Sequence, residues 1–200
     1  MREIKAVIFD MYGVIVKDPT GALSDYIARF FPNMSNEVIY KYWIPGSEGK
    51  LTSEEFFTNL GFADHAATEA DYIDTIEINT DIFAVAAELR KKGIKTAILS
   101  NDIAEWNAAL RKKHGLNELF DAVTVSGEEG FTKPDRRIYE LTLQRLGIAP
   151  ENCVYIDDRE YFLPEAAALG MHPILFNSRN VEYDGDIIYK FADLLDILQI

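Results

Sequence analysis

Two hundred residues, 48% of them hydrophobic, are enough to bury one substantial core with a small satellite beside it, and they exclude disorder as a description of the whole chain. Lysine and arginine total 20 against 33 acidic residues, so the net charge of -13 argues against nucleic acid or an anionic membrane surface as partner. The single cysteine, Cys153, excludes a disulfide framework and suits a reducing cytoplasm.

The chain opens on "AVIF", a short apolar strand that Asp10 interrupts long before it could serve as a membrane span. Residues 17–79 then carry helical signals without a convincing strand. "TSEEFFTNLG" holds a capping box, Thr52 with Glu55, and stops on Gly61. Aromatic residues crowd this part, among them Tyr26, Phe30, Phe31, Tyr40, Trp43, Phe56 and Phe57, and helical spacing predicts a small separate core for them. From residue 80 the grammar changes to β-branched runs alternating with amphipathic helices that close on glycine. "TDIFAVAAELRKKG" begins on Thr80 as N-cap, and "IKTAILSN" follows as a buried strand. A helix to Gly115, the strand "AVTVS", a helix from Arg136 to Gly147, the strand "CVYIDD", a helix to Gly170 and the strand "HPILF" come next, and "YKFADLLDILQI" closes as a docking helix. Strands without strict alternation predict a parallel sheet covered on both faces, an α/β, Rossmann-like doubly wound core. The expected division is a core of residues 1–16 and 80–200 with an inserted α-helical cap of residues 17–79, crossing at "KDPTG" and "EINTD".

Four apolar runs end on small polar or acidic residues: Asp10, then Ser100 with Asn101, then Ser126, then Asp157 with Asp158. Each suits a helix N-cap after a strand. In an open parallel sheet, however, carboxyl ends of strands form the crevice where ligands bind, so together these groups predict a site.

Asp10, "LSN", "TKPD" and "IDD", in this order and context, resemble the motifs of the haloacid-dehalogenase-like (HAD) superfamily, in the subgroup with a helical cap after the first strand. The resemblance implies that Asp10 is a nucleophile, that Ser100 (with Asn101 beside it) binds the transferring group, that Lys133 neutralises charge, and that Asp157 and Asp158 hold Mg²⁺. It further implies a metal contact through the backbone carbonyl of Tyr12. The chemistry is coherent, because a carboxylate attacking an anionic phosphoryl group needs a metal and a cation to cancel the repulsion. Mg²⁺ suits an all-oxygen site.

Two positions depart from the phosphatase pattern. Tyr12 stands where such phosphatases carry a second aspartate as proton shuttle, and a phenol is a poor replacement. Tyrosine there also resembles the 2-haloacid dehalogenases, whose leaving halide needs no proton, although "IDDRE" places adjacent carboxylates where those enzymes have neutral groups. Their cap arginine has only Arg29 and Lys41 as candidates. Phe162 occupies a position that is often polar in relatives, which raises a third possibility, a HAD-fold binding protein of little catalytic power. His65, His114 and His172 form no metal spacing, and His114 is expected to complement the dipole of a helix end. The reading that results is an Mg²⁺-dependent phosphatase, cytoplasmic, acting on a small phosphorylated metabolite through an aspartyl-phosphate. Acid–base assistance is reduced because of Tyr12.

Overall fold

The computed structural model describes residues 3–18 and 21–200. Six strands, β1 (Ala6–Phe9), β2 (Lys95–Ser100), β3 (Ala122–Val125), β4 (Cys153–Asp157), β5 (His172–Phe176) and β6 (Asp186–Ile188), form a sheet of order β3-β2-β1-β4-β5-β6. Every pairing is parallel, with Phe9 in register with Ile98 on one side and Ile156 on the other. Side-chain alternation explains why β1 and β4 are buried along their whole length. Val7, Phe9, Val154 and Ile156 enter one apolar layer, while Ala6, Ile8, Cys153 and Tyr155 enter the opposite one. Strand β6 was not expected: its three residues at the sheet edge are too few to show a period.

Helices α1 (Ala22–Ala28), α2 (Asn36–Ser47), α3 (Ser53–Asn59) and α4 (His65–Thr75) lie in sequence between β1 and α5 (Asp81–Lys91). After β2 come α6 (Ala104–Lys113), the short α7 (Ser126–Glu129), α8 (Arg136–Leu146), α9 (Leu163–Leu169) and α10 (Phe191–Leu198). Side chains of α5, α6 and α10 belong to the first apolar layer and those of α8 and α9 to the second, so the sheet is wound on both faces. Thr52 and Glu55 form the expected capping box on α3. Thr80 does not cap α5: its backbone is already helical and its side chain makes no cap hydrogen bond, so it acts as a turn residue.

The aromatic residues of α1 to α4 do not make the separate core that their spacing suggested. Tyr26, Phe56, Phe57 and Tyr72 belong to the same continuous cluster as Val7 and Phe9. Trp106 of α6 joins the two parts, with its ring 5.0 Å from those of Phe56 and Tyr72 and its indole N–H donating to Ser53 Oγ at 2.7 Å. Exit and return of the helical segment run side by side. Lys17 N donates to Glu77 O at 2.9 Å, Asn79 N to Ile15 O at 2.8 Å, and Asn79 Nδ2 to Val14 O at 2.6 Å. The chain at "EINTD" is thus tied to the segment that leaves β1, while Pro19 and Thr20 of "KDPTG" lie outside the described residues. Among the described residues no helix is long and apolar enough to cross a membrane.

Candidate active site

Asp10 follows β1 directly and receives the Lys133 ammonium on Oδ1 at 2.7 Å. The same ammonium donates to Asp157 Oδ2 at 2.7 Å, so one buried cation joins the ends of two adjacent strands. Lys133 lies in the loop between α7 and α8, and Asn101 fixes that loop: Asn101 Oδ1 accepts from Lys133 N at 2.7 Å and Nδ2 donates to Lys133 O at 3.1 Å. Both polar atoms of the Asn101 side chain thus act on Lys133. Phe162, the second departure from the family pattern, places its ring centroid 4.8 Å from the same ammonium, in a cation–π contact.

The three carboxylates have different surroundings. Asp157 accepts from Lys133, from the Tyr155 hydroxyl and, on Oδ1, from Arg159 N at 2.9 Å. Asp158 accepts from Arg179 Nε on Oδ2 at 2.8 Å, while its Oδ1 is buried with no partner. Oxygens of Asp10, Asp157 and Asp158 lie within 4.8 Å of one another, the group of potential metal ligands found among the described residues. Burial, countered by Lys133 and reinforced by Asp157 and Asp158, pushes the Asp10 carboxyl up to about 8. Burial and then Asp157 push Asp158 up to about 6 against the pull of Arg179. Burial alone would lower Lys133, yet Asp10 and Asp157 hold it above its ordinary value, so its ammonium persists. A divalent cation fits this donor set: all donors are hard oxygens and one of them is orphaned.

Tyr12 lies two residues beyond Asp10 with its hydroxyl buried near Tyr72 and Asp102. Burial, then the Asp102 carboxyl, push the phenol well above its usual value. Such a group retains its proton at neutral pH and makes a weak acid for a departing alkoxide. Ser100 Oγ is buried without a partner at the end of β2 and does not line the adjoining cavity, whereas Asn101 does. Ser126 begins α7, and its hydroxyl accepts from Asp102 N at 3.0 Å.

A cavity of about 270 Å³ opens beside Asp10 and Lys133 between the helical segment and the strand ends. Tyr40 and Trp43 line it, one helical turn apart on α2, while Lys41 and Tyr42 do not. Arg29 is not at the cavity either: it stacks on Tyr26 and Phe30, 5.3 and 5.7 Å from their ring centroids. His114 stands at the end of α6 as expected, but burial and then Lys113 lower its pKa, so it lends that end no charge at neutral pH. Arg179, Tyr155, Arg159 and Asp102 were not singled out from the sequence. Arg179 has no motif, Tyr155 reads as strand interior, and only the pair "IDDRE" hinted that Arg159 stands beside the acidic residues.

The family model for haloacid dehalogenase-like hydrolases matches residues 4–170. The chain is 32% identical over 197 residues to acyl-CoA dehydrogenase family member 10 of Mus musculus, covering 86% of this chain and 18% of that protein. It is 35% identical over 106 residues to glyceraldehyde 3-phosphate phosphatase of Methanothermobacter thermautotrophicus, covering 52% of this chain and 46% of that protein. The chain thus spans less than half the length of either relative. The structure of a HAD phosphatase from Thermococcus onnurineus superposes with a TM-score of 0.74 at 22% identity, covering 98% of each chain, a likeness of fold. With the parallel sheet, the acidic cluster at its rim and the family match over most of its length, this chain belongs to the haloacid dehalogenase-like hydrolases.

Proposed function

We propose that the protein is an Mg²⁺-dependent phosphatase of a small phosphorylated metabolite, working through an aspartyl-phosphate on Asp10. The observation that carries this reading is the Lys133 bridge between Asp10 and Asp157, set beside the orphaned Asp158 Oδ1. Asp10 and Asp158, with the backbone carbonyl of Tyr12, would hold the metal, and Asp157, already engaged by three donors, would orient Lys133. When bound, the ion withdraws charge from the phosphoryl oxygens and favours the ionised form of Asp10. An Asp10 oxygen attacks phosphorus as the bond to the alcohol oxygen breaks, and the alkoxide takes its proton from solvent because Tyr12 holds its own too tightly. Water then cleaves the acyl phosphate, releasing inorganic phosphate and restoring the carboxylate. Lys133 stabilises the charge in both halves, and the Ser100 hydroxyl is placed in this reading on a phosphoryl oxygen. Residues 17–79 act as a cap over a core of residues 1–16 and 80–200, excluding water when closed. A relative named for glyceraldehyde 3-phosphate supports a phosphoester substrate.

Tyr12 favours a second reading, dehalogenation of a 2-haloacid. Against it, the adjacent carboxylates of Asp157 and Asp158 oppose a substrate carboxylate, and neither cap candidate, Arg29 or Lys41, reaches the cavity, where Arg159 is the guanidinium present. The test is phosphate release from acetyl phosphate and a panel of phosphomonoesters during an Mg²⁺ titration. Release that requires Mg²⁺ and disappears in Asp10→Asn is expected, and Tyr12→Asp should raise ester turnover by about 10²-fold or more. Metal-independent chloride release from 2-chloropropionate, with no phosphate release, would replace the phosphatase by the dehalogenase.

A further inference from the structure

The cavity wall carries more information than the catalytic cluster at its base. From the helical segment come Leu23, Tyr40, Trp43 and Tyr72, and from the core Trp106 and Tyr161, so a group leaving Asp10 is enclosed by aromatic and aliphatic surface. Several polar side chains of the same wall already have partners. Asn101 is bonded to the Lys133 backbone, Asp102 accepts from Ile103 N and Asn107 Nδ2, Asp18 accepts from Ala22 N, and Arg159 donates to the Tyr161 hydroxyl. A polyol or sugar entering this space would strip water from hydroxyls that find few partners, at about 1–3 kcal/mol for each one left unsatisfied. Asp18 also opposes a second anionic group on the substrate, with Arg159 engaged at Tyr161. An apolar ring or chain loses nothing by desolvation and gains the aromatic contacts.

Resting on the phosphatase reading, we infer that the substrate is a phosphomonoester of a neutral, apolar, preferentially aromatic primary alcohol, and that Tyr40 and Trp43 of α2 select it. These two rings stand T-shaped with centroids 5.8 Å apart, a preformed wall for a flat group. Volume sets the scale as well: about 270 Å³ is just below the ~300–1,000 Å³ usual for small-molecule sites, which suits a single ring rather than a nucleotide.

The experiment compares kcat/KM, with Mg²⁺ present, for benzyl phosphate, glycerol 3-phosphate and phosphoserine, with acetyl phosphate as the general phosphatase substrate. All three esters release primary alcohols without strong leaving-group activation, so their ratio reports the cavity wall. Benzyl phosphate is expected to exceed each of the others by about tenfold or more. In Trp43→Ala and in the half-exposed Tyr40→Ala, the benzyl-to-glycerol ratio should fall by about tenfold, while Trp43→Phe retains most of it. Equal or greater use of glycerol 3-phosphate or phosphoserine overturns the inference, the second by showing that Arg159 selects a carboxylate. Turnover of acetyl phosphate with all three esters inert also overturns it and leaves the phosphatase reading standing. If acetyl phosphate is inert too, that reading falls and the inference with it.

Discussion

Gly13 holds φ at +86°, and a Cβ at that position would stand 2.3 Å from the Asp158 carboxyl carbon. Backbone conformation and close approach both demand glycine there, so the turn after Asp10 and the acidic pair after β4 fit as one unit. Gly13→Ala should cost about 1–2 kcal/mol of backbone strain and also displace Asp158. If the acidic cluster holds Mg²⁺ as proposed, calorimetry is expected to show its binding weakened by about tenfold or more alongside a lowered denaturation midpoint, since the displaced carboxylate is one of the proposed ligands. Asp102 provides a separate test of burial. Its carboxyl is held well above the ordinary value, chiefly by desolvation, against hydrogen bonds from Asn107 and Ile103. The folded value therefore exceeds the unfolded one, so the stabilising contribution of Asp102 is complete below about pH 3.8 and is lost as pH rises toward the folded value. Asp102→Asn should remove a slope of up to about 1.4 kcal/mol per pH unit over that range, measured by urea denaturation at several pH values. An unchanged slope would mean that Asp102 is ionised in the fold.

Among the elements, α3 and α5 make a controlled pair. Both begin after a threonine, yet the Thr52 hydroxyl accepts from Glu55 N at 3.2 Å while Glu55 Oε2 accepts from Thr52 N at 2.9 Å, and Thr80 caps nothing. Thr52→Ala is therefore expected to cost about 1 kcal/mol and Thr80→Ala less than about 0.5 kcal/mol in chemical denaturation. The difference follows from backbone geometry: Thr52 is extended at ψ 165°, whereas Thr80 has already entered the helical region at ψ -19°. A sequence pattern alone does not separate the two, apart from the Glu55 partner that completes a capping box. The same limitation applies to α2, where spacing shows that Tyr40 and Trp43 share a face but not which face meets the cavity.

For the molecule as a whole, the two ends of the helical segment lie side by side next to β1. Val16 bridges Tyr12 on one side and Ile78 on the other, and the Asn79 side chain ties the returning chain to Val14 O at 2.6 Å. The exposed Lys17–Glu77 pair at 3.2 Å contributes little by itself. Asn79→Ala should cost about 1 kcal/mol, and hydrogen exchange should accelerate at the exit and return strands while β1 and β4 remain protected. Beyond the hinge, close contacts pin the segment to the core. A Cβ on Gly49 would stand 2.5 Å from Gly127 O, and Trp106 is wedged among rings of α3 and α4. These contacts make an apolar seam between the helical segment and the sheet's helices.

Local patterns determined much of this protein. Unbroken apolar runs ending on Asp10, Ser100 and Asp157 specify buried parallel strands with polar tips, because a strand covered on both faces can carry a carboxylate only where the sheet stops. Asp10, Asp157 and Asp158 were legible for that reason, through their places at strand ends, whereas Lys133 was legible only through the resemblance of "TKPD" to a family motif. Only the tertiary structure decided what neutralises them: Arg179 reaches Asp158 from 21 residues away, and Phe162 supports Lys133 through the face of its ring. It alone showed that the aromatic residues of α1 to α4 continue the sheet's apolar layer and that Tyr12 points its phenol toward Tyr72 and Asp102. Contacts of this kind arise from packing between distant segments, and neither periodicity nor spacing along the chain encodes which segments meet.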